Sequence, residues 1–540
     1  MGTIFEELVR RFNEANNEEA GEHWTPRDAV KLMAKLIFAP IADDITSGTY
    51  LLYDGACGTG GMLTVAEETL TELAAEHNKQ VSTHLFGQEI NGETYAIAKA
   101  DLLLKGEGEE ADNIIGGPEW STLSNDAFPA KEFDFMLSNP PYGKSWKSDQ
   151  ERMGGKTGMR DPRFVIEHAG DAEYSLVTRS SDGQMLFLAN MLSKMKHNTP
   201  LGSRIASVHN GSSLFTGDAG SGESNTRHWI IENDWLDAII ALPLNMFYNT
   251  GIATYVWVLS NRKAERRRGQ VQLIDATQWF EPRRKNLGKK NCDLSEGNIQ
   301  SILDAFLAFE PTEQSRIFDN AEFGYWKVTV ERPLRLAIDL SQARRDQFRE
   351  ACLLVDEIPI ANVVDRVAQA IGEGPHSDFN IFRGRVEADA DQHGVKLTAK
   401  RVKLLQTALA ERDETAERVI RRVYKPGKAE ADPLRGLFEA TVGGKSVVVE
   451  YETDTDLRDT ETVPFKEPGG VEAFIRREVL PHAPDAWVDE AKTTVGYEIS
   501  FTRYFYKPQP LRQLDAIRAD IVALERETEG LMLDIIGASR

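Results

Sequence analysis

The chain has 540 residues, 41% of them hydrophobic and 27% charged, and its formal net charge is −22. That length carries roughly two to four domains of ordinary globular composition, and no run of about 18 apolar residues is available to span a membrane. The acidity argues against a chain that binds nucleic acid unaided: either its basic residues gather on one face or a partner makes most phosphate contacts.

Three cysteines, Cys57, Cys292 and Cys352, lie far apart without metal-type spacing. This fits a reducing cytoplasm, with no metal site and no disulfide framework. Residues 3–20 pattern as a helix, with Ile4, Phe5, Leu8, Val9 and Phe12 on one face, and not as a signal peptide. Gly21-Glu22-His23-Trp24-Thr25-Pro26-Arg27-Asp28 then leads into a helix over residues 29–37. Thr25 suits an N-cap, Pro26 the first helical position and Asp28 the first turn. The free amides of that helix start, with Arg27 beside them, suit a carboxylate; a plain capped helix is the alternative.

Tyr50–Tyr53 reads as the end of a strand that runs into Asp54-Gly55-Ala56-Cys57-Gly58-Thr59-Gly60-Gly61, with a helical stretch from Met62 to Glu76 behind it. Strand, glycine turn and helix let a cofactor approach the backbone closely. No Lys-Ser/Thr pair follows, so this is not a Walker phosphate loop. The next strand, His84–Gly87, ends near Glu89, an acid placed to bind ribose hydroxyls. A helix over Thr94–Lys105 and a loop follow.

Phe133–Leu137 is a short apolar run of the kind that forms a buried strand, and Asn139-Pro140-Pro141-Tyr142 follows it. Consecutive prolines stop the ladder and leave carbonyls free as acceptors. The Asn139 amide oxygen and the Pro140 carbonyl suit the two hydrogens of a ring amine, and Tyr142 suits its face. Such an amine is a poor nucleophile, because its lone pair is delocalised. Two acceptors localise that pair, so positioning replaces a strong base. A nucleobase reaches such a pocket only when flipped out of its duplex. A proline-rich turn with no such role is the competing reading.

Residues 144–180, polar and including Gly154-Gly155-Lys156-Thr157-Gly158, read as a mobile loop over DNA or cofactor, or as a disordered surface loop. A helix over Gln184–Lys196 and strands at 204–208, 236–242 and 254–259 complete an α/β pattern. It predicts a mostly parallel, Rossmann-like sheet with helices on both faces. Basic residues cluster at Arg262, Lys263, Arg266, Arg267 and Arg268, and again at Arg283, Arg284, Lys285, Lys289 and Lys290. They read as a solvated loop or as a phosphate-contacting face.

Residues 295–375 alternate between helical and irregular patterns. Residues 396–423 pattern as a charged helix. Val447–Tyr451 and Thr462–Phe465 suggest a hairpin across the acidic stretch 452–461. Near the end, Leu514, Ile517, Ile521, Leu524, Thr528, Leu531 and Ile535 form a heptad seam that needs a partner helix, either its own domain or another chain. The expected organisation is a short N-terminal helical segment (1–45), a catalytic domain (46–290), a connecting region (291–375), a mainly helical C-terminal region (376–505) and a coiled-coil-like helix (506–540).

Asp54–Gly61, Glu89 and Asn139–Tyr142, in that order, resemble the cofactor loop, ribose acid and catalytic loop of amino-group DNA methyltransferases. With Thr25-Pro26-Arg27 upstream, the chain is similar to the modification (M) subunits of type I restriction-modification systems. The similarity continues through Asp182-Gly183-Gln184, Asn210-Gly211-Ser212, Phe215-Thr216-Gly217 and Phe247–Thr254. The resemblance implies a methyl transfer from S-adenosylmethionine to N6 of adenine in double-stranded DNA, on a sheet whose last strand is antiparallel. It places Thr25–Arg27 over the methionine end of the cofactor, Thr59–Gly61 at the glycine loop and Glu89 on the ribose, and counts Glu22, His23, Trp24 and the rest of Asp54–Gly61 among the cofactor-binding residues. Asn139 and Pro140 would grip the adenine amine. It also implies two M copies with one specificity (S) subunit docked on the terminal helix, and a restriction (R) subunit in the full complex.

Two features depart from that pattern. Relatives carry an acidic residue in the loop before the catalytic strand, and here Glu119, Asp126 or neither takes that part. Relatives also carry a longer helical region before the Thr-Pro-Arg segment, which leaves DNA clamping and contacts between M copies open. An RNA or protein-glutamine methyltransferase sharing the loop, or a scaffold without catalysis, are the alternatives.

Overall fold

The computed structural model describes residues 25–105, 108–166, 174–248, 250–506 and 513–537. The helix expected at 3–20, like Glu22, His23 and Trp24, lies outside the described residues. Helix α1 (Arg27–Phe38) precedes β1 (Gly48–Asp54), α2 (Gly61–Glu76), β2 (Val81–Glu89), α3 (Gly92–Lys105), β3 (Ile114–Gly116) and β4 (Phe135–Ser138). Then follow α4 (Gln184–Leu192), β5 (Arg204–Asn210), α5 (Gly222–Glu232), β6 (Leu236–Ala241), β7 (Thr254–Ser260) and β8 (Gln270–Asp275). A hairpin of β9 (Glu281–Leu287) and β10 (Lys290–Asp293), helix α6 (Glu296–Ala308) and β11 (Ser315–Asp319) complete this part.

Nine strands form one sheet in the order β11-β8-β6-β7-β5-β4-β1-β2-β3. Neighbours run parallel except where β7 lies between β5 and β6 and where β11 closes the edge. This is the mostly parallel α/β sheet read from the pattern, with the reversed strand at 254–260. Two further strands, β8 and β11, extend the sheet beyond β6.

Alternation along the strands explains the two covered faces. Leu52, Phe135, Leu137, Val208, Ile240 and Val256 join one apolar cluster with α1, α2, α3 and α6. Their neighbours Tyr53, Met136, Ile239 and Trp257 are buried as well. On that second face Tyr53 Oη accepts a hydrogen bond from Asn190 Nδ2 of α4 at 3.0 Å. Each large apolar side chain so covered contributes about 1.5–3 kcal/mol.

The described residues between 144 and 182 are not a loose loop. Trp146, Met159, Phe164 and Leu176 are buried in a cluster with Leu123, Leu186 and Ala189, so apolar side chains spaced widely in a polar sequence pin the segment to α4.

The region after β11 holds β12 (Gly324–Glu331), helices α7 (Gln342–Leu354), α8 (Ile358–Ile371), α9 (Phe379–Gln392) and α10 (Ala399–Ala408), and strands β13 (Ile420–Val423), β14 (Phe438–Val442), β15 (Lys445–Tyr451), β16 (Asp459–Pro464) and β17 (Trp487–Tyr497). The helix expected over 396–423 stops at Ala408. Asp413 Oδ1 accepts from the Thr415 N–H and hydroxyl, a turn that competes with helix. The hairpin expected between 447–451 and 462–465 does not form. β15 pairs instead with β14 through Gly443-Gly444, both at positive φ as a tight hairpin turn requires, and with β13. β16 pairs with β12, whose other edge carries β17. Arg227 of α5, fully buried, ties this region to the large sheet's helices: its guanidinium donates to the carbonyls of Tyr497, Ser213 and Thr216.

The described residues through Ile499 form one compact unit, and those from Ser500 a second. In the second, α11 (Leu514–Gly537) carries the expected seam, with Leu514, Ile517, Ile521 and Leu524 exposed. The side chains of Thr528, Leu531 and Ile535 lie outside the described residues. No helix among the described residues is long and apolar enough to cross a membrane.

Candidate functional site

A cavity of about 350 Å³ opens where β1, β2 and β4 end. Parallel strands put these three carboxyl ends on one edge, so residues 54, 89 and 139 meet there although far apart in sequence. Asp54 closes β1 and is 1% exposed. Its Oδ1 accepts from the Ala56 N–H at 2.9 Å and from Ser138 Oγ at 2.8 Å, which ties the ends of β1 and β4 together. Burial pushes its carboxyl up to about 7, reinforced by the Glu89 charge and opposed by those two hydrogen bonds. Burial also raises the Cys57 thiol, so Cys57 is an inert wall.

The turn after Asp54 needs its glycines. Gly58 and Gly60 take φ of +54° and +78°, where a side chain would be strained. Gly55 packs so tightly that an added Cβ would lie 2.8 Å from Tyr53 Oη. Glu89 holds the turn from β2: its carboxylate accepts from the Gly58 N–H at 3.0 Å and the Asn91 N–H at 2.8 Å. One lone pair on each oxygen remains for a ligand.

At the other end of the cavity sits the loop after β4. Asn139 Nδ2 donates to Thr25 Oγ1 at 3.0 Å. Thr25 therefore does not cap α1: the position before the helix is Pro26, with no side-chain cap, and the Thr25 hydroxyl turns to the asparagine. With Nδ2 held, Asn139 Oδ1 is buried and has no hydrogen-bond partner among the described residues. An unpaired buried acceptor is costly, about 1–3 kcal/mol, and marks a place built for an incoming donor. Pro140 is buried, Pro141 exposed and Tyr142 half-buried, its phenol raised to about 12 by burial.

Of the residues read from sequence as site residues, Thr25, Arg27, Asp54, Gly55, Ala56, Cys57, Gly58, Thr59, Gly61, Glu89 and Asn139–Tyr142 line the cavity. Pro26 and Gly60 stand behind the lining, one starting α1 and the other α2. Arg27 also pairs with Glu68 at 3.2 Å.

In the loop at 117–126, neither Glu119 nor Asp126 lines the cavity; Ser121, Thr122 and Leu123 do. Asp126 is held by Lys194 at 2.6 Å, beneath the site. Gln88 fixes this loop by donating to the carbonyls of Trp120 and Asn125 and accepting from the Ala127 N–H.

Several lining residues carried no signal in the sequence. Lys144, Trp146, Asp149 and Phe187 join the wall. Asp149 accepts from Ser124 Oγ at 2.6 Å. Asp182 accepts from the Gly143 N–H at 3.1 Å and is bonded by Gln184 Nε2, which also reaches Asn210 Oδ1 and Ser212 Oγ. The motif residues at 182–184 and 210–212 thus form a bracket that fixes the backbone just after Tyr142. Chemically, the arrangement offers a glycine cradle with two carboxylates at one end and a bare amide acceptor at the other.

Comparison with known proteins gives the same direction. Residues 1–330 match the model of the N-6 DNA Methylase family. The chain is 27% identical over 330 residues to the type I restriction enzyme MjaIX methylase subunit of Methanocaldococcus jannaschii, covering 61% of this chain and 52% of that one. It is 27% identical over 313 residues to the type I restriction enzyme MpnII methylase subunit of Mycoplasma pneumoniae, covering 57% and 51%. The crystal structure of a type I restriction-modification methyltransferase subunit from Streptococcus thermophilus is 26% identical, with 56% of this chain and 57% of that chain covered and a TM-score of 0.44. The matches span about half the length of these relatives.

Proposed function

The chain belongs to the N-6 DNA methylase family, and from that premise we propose that it methylates N6 of adenine in double-stranded DNA, with S-adenosylmethionine as donor. We assign it the part of the modification subunit of a type I restriction-modification complex, in which a specificity subunit selects the sequence. The single observation that carries this reading is the Asn139 amide: its nitrogen is held by Thr25 and its buried oxygen has no partner among the described residues.

The cavity's residues fit the cofactor. The turn at Asp54–Gly61 would take its backbone-hugging part and Glu89 its ribose hydroxyls, and the carboxylate of Glu89, joined by that of Asp54 once ionised, would favour a cation. When bound, S-adenosylmethionine supplies an electrophilic methyl group on a sulfonium. The chain's own residues do the rest. Asn139 Oδ1 and the Pro140 carbonyl accept the hydrogens of the adenine amine and localise its lone pair. Thr25 keeps the amide from turning its nitrogen toward the base. Tyr142 lies against the ring of the flipped base, and Asp182, through the Gly143 N–H, keeps the loop in register with the cavity. No strong base lines this end among the described residues, and the reaction needs none, because the methylated amine loses its proton readily to water.

The net charge of −22 fits a subunit that relies on a partner to hold DNA. The exposed seam of α11, Leu514, Ile517, Ile521 and Leu524, is the surface we assign to the specificity subunit. A second modification subunit and a restriction subunit complete the assembly.

The test is to incubate the chain with labelled S-adenosylmethionine and DNA, alone and with the specificity subunit, and to analyse the nucleosides. Cofactor binding by the isolated chain, weak methylation alone and N6-methyladenine on addition of the partner are expected. Label in RNA or in protein glutamine, or strong site-specific methylation by the isolated chain, contradicts the proposal.

A further inference from the structure

The ten cations between residues 262 and 290 form two runs that look alike in sequence, and the sheet sends them to opposite edges. β7 is antiparallel to its neighbours, so the residues after Ser260 emerge at the edge away from the cavity. There the cations are largely occupied by the protein. Lys263 is buried, with Nζ on Asp234 at 2.6 Å and on the carbonyls of Leu236 and Gln270. Arg267 is buried against Asp237 and the Phe306 carbonyl. Arg262 binds the His197 carbonyl, and Arg266 caps α6 through the Leu307 and Ala308 carbonyls.

The second run follows β8. This strand is parallel to β6, which runs in the same direction as β4, so the β9–β10 hairpin leaves the sheet at the cavity edge. The hairpin is anchored beside the site. Lys290, 2% exposed, places Nζ on Asp28 at 3.1 Å and on the Met246 carbonyl at 3.1 Å. Asp28 lies three positions after Thr25 and also accepts from the Leu294 N–H. The Lys289 and Asn291 N–H groups bond the Tyr248 and Asn245 carbonyls, in the loop after β6. The hairpin's acids sit at its base, where Asp293 holds Arg283 and Lys290.

Three cations are left at the outer turn. Arg284, Lys285 and Lys289 are exposed, and no side chain among the described residues pairs with them. Three like charges on one short hairpin repel one another. Unpaired in a chain of net charge −22, on a turn fastened to the site, they make a local positive patch that attracts an anion from outside. β6, whose loop carries the hairpin, lies three strands from β4, a lateral step of roughly 14 Å. That offset suits the sugar-phosphate backbone flanking a base inserted after β4.

We infer that Arg284, Lys285 and Lys289 hold backbone phosphates of the duplex whose base enters the cavity. The inference rests on the proposed DNA substrate. Of the two basic runs, it assigns phosphate contact to the turn at 284–289 and excludes the run at 262–268.

The test measures binding of the full chain, assembled with the specificity subunit, to a fluorescent mixed-sequence DNA duplex as a function of salt, with cofactor affinity read on the same preparations. Neutralising the turn (Arg284→Gln, Lys285→Gln, Lys289→Gln) is expected to flatten log K against log salt by about 0.9 for each phosphate no longer neutralised, with cofactor affinity unchanged. Lys285→Gln alone should flatten it by up to about one such step. Arg268→Gln, an equal charge change at the far edge, should leave the slope as it was. The inference is overturned if the triple variant keeps the original slope, if Arg268→Gln lowers it as much as Lys285→Gln, or if the unaltered assembly shows no duplex binding at about 50 mM salt. Displacement of the duplex by polyglutamate at matched charge would overturn it in favour of an acidic protein surface. A failure of the methyl-transfer reading appears separately, as absent N6-methyladenine with the salt slopes intact.

Discussion

At the glycine-turn end of the cleft the anchoring polar groups are already engaged: Asp54 accepts from Ala56 and Ser138, and Glu89 from Gly58 and Asn91. At the other end, Asn139 has its nitrogen fastened and its buried oxygen bare. The first arrangement is a binding cradle that also holds the fold together. The second is an acceptor kept ready at some cost in stability, which is how a group acting on a reacting atom differs from one acting on a ligand's handle.

Substitutions should separate the two ends. Asn139→Ala is expected to lower methylation by about 10²–10³-fold in the complete complex, by analogy with removal of one positioned group at a reacting centre, with cofactor affinity within a few-fold of the original. Equal loss of both would erase the distinction. Glu89→Ala should do the reverse, weakening cofactor binding by about 10–100-fold and lowering the melting temperature, because two backbone amides lose a charged acceptor. Turnover at saturating cofactor should change much less. Thr25→Val frees the Asn139 amide to rotate and should reduce turnover by about 5–10-fold, a loss near the value of one hydrogen bond, with calorimetric cofactor affinity unchanged.

The smallest effect is a pH dependence. The Asp54 carboxyl, pushed up to about 7 by burial, binds more protons folded than unfolded between about pH 4 and 7. Stability should therefore decline as pH rises through that window and level off above it. A positively charged cofactor favours the ionised form, so its binding should release protons near neutrality and tighten a few-fold from pH 6 to 7. Calorimetry in buffers of different ionisation enthalpy measures that release, and Asp54→Asn should abolish it.

The site was legible where its chemistry is written in adjacent residues. Glycines at 58 and 60 announce positive φ, two prolines after an apolar run announce the end of a strand, and an acid after the second strand has one natural place in a parallel sheet. The rest depends on partners remote in sequence. Thr25 reads as a helix cap because its neighbours, Pro26 and Asp28, favour one. The hydroxyl's choice of Asn139, 114 positions away, is a tertiary fact. Trp146 and Phe164 are single large side chains in a polar stretch, without the periodicity that marks a buried element. β12 pairs with strands about 130 residues or more later, and the buried Arg227 donates to the Tyr497 carbonyl. Nothing local foretells either. The Gly443-Gly444 turn was readable, and it gives β15 its true partner, β14.

The most direct measurement is a crystal structure of the assembled complex with a non-reactive sulfonium analogue and a duplex containing its target adenine. The account predicts an extruded adenine whose N6 lies within about 3.2 Å of Asn139 Oδ1, with Thr25 still bonded to the amide nitrogen and the analogue resting on the turn from Asp54 to Gly61. An adenine still stacked in the duplex, or an Asn139 oxygen satisfied by another protein group while the base sits elsewhere, would contradict it.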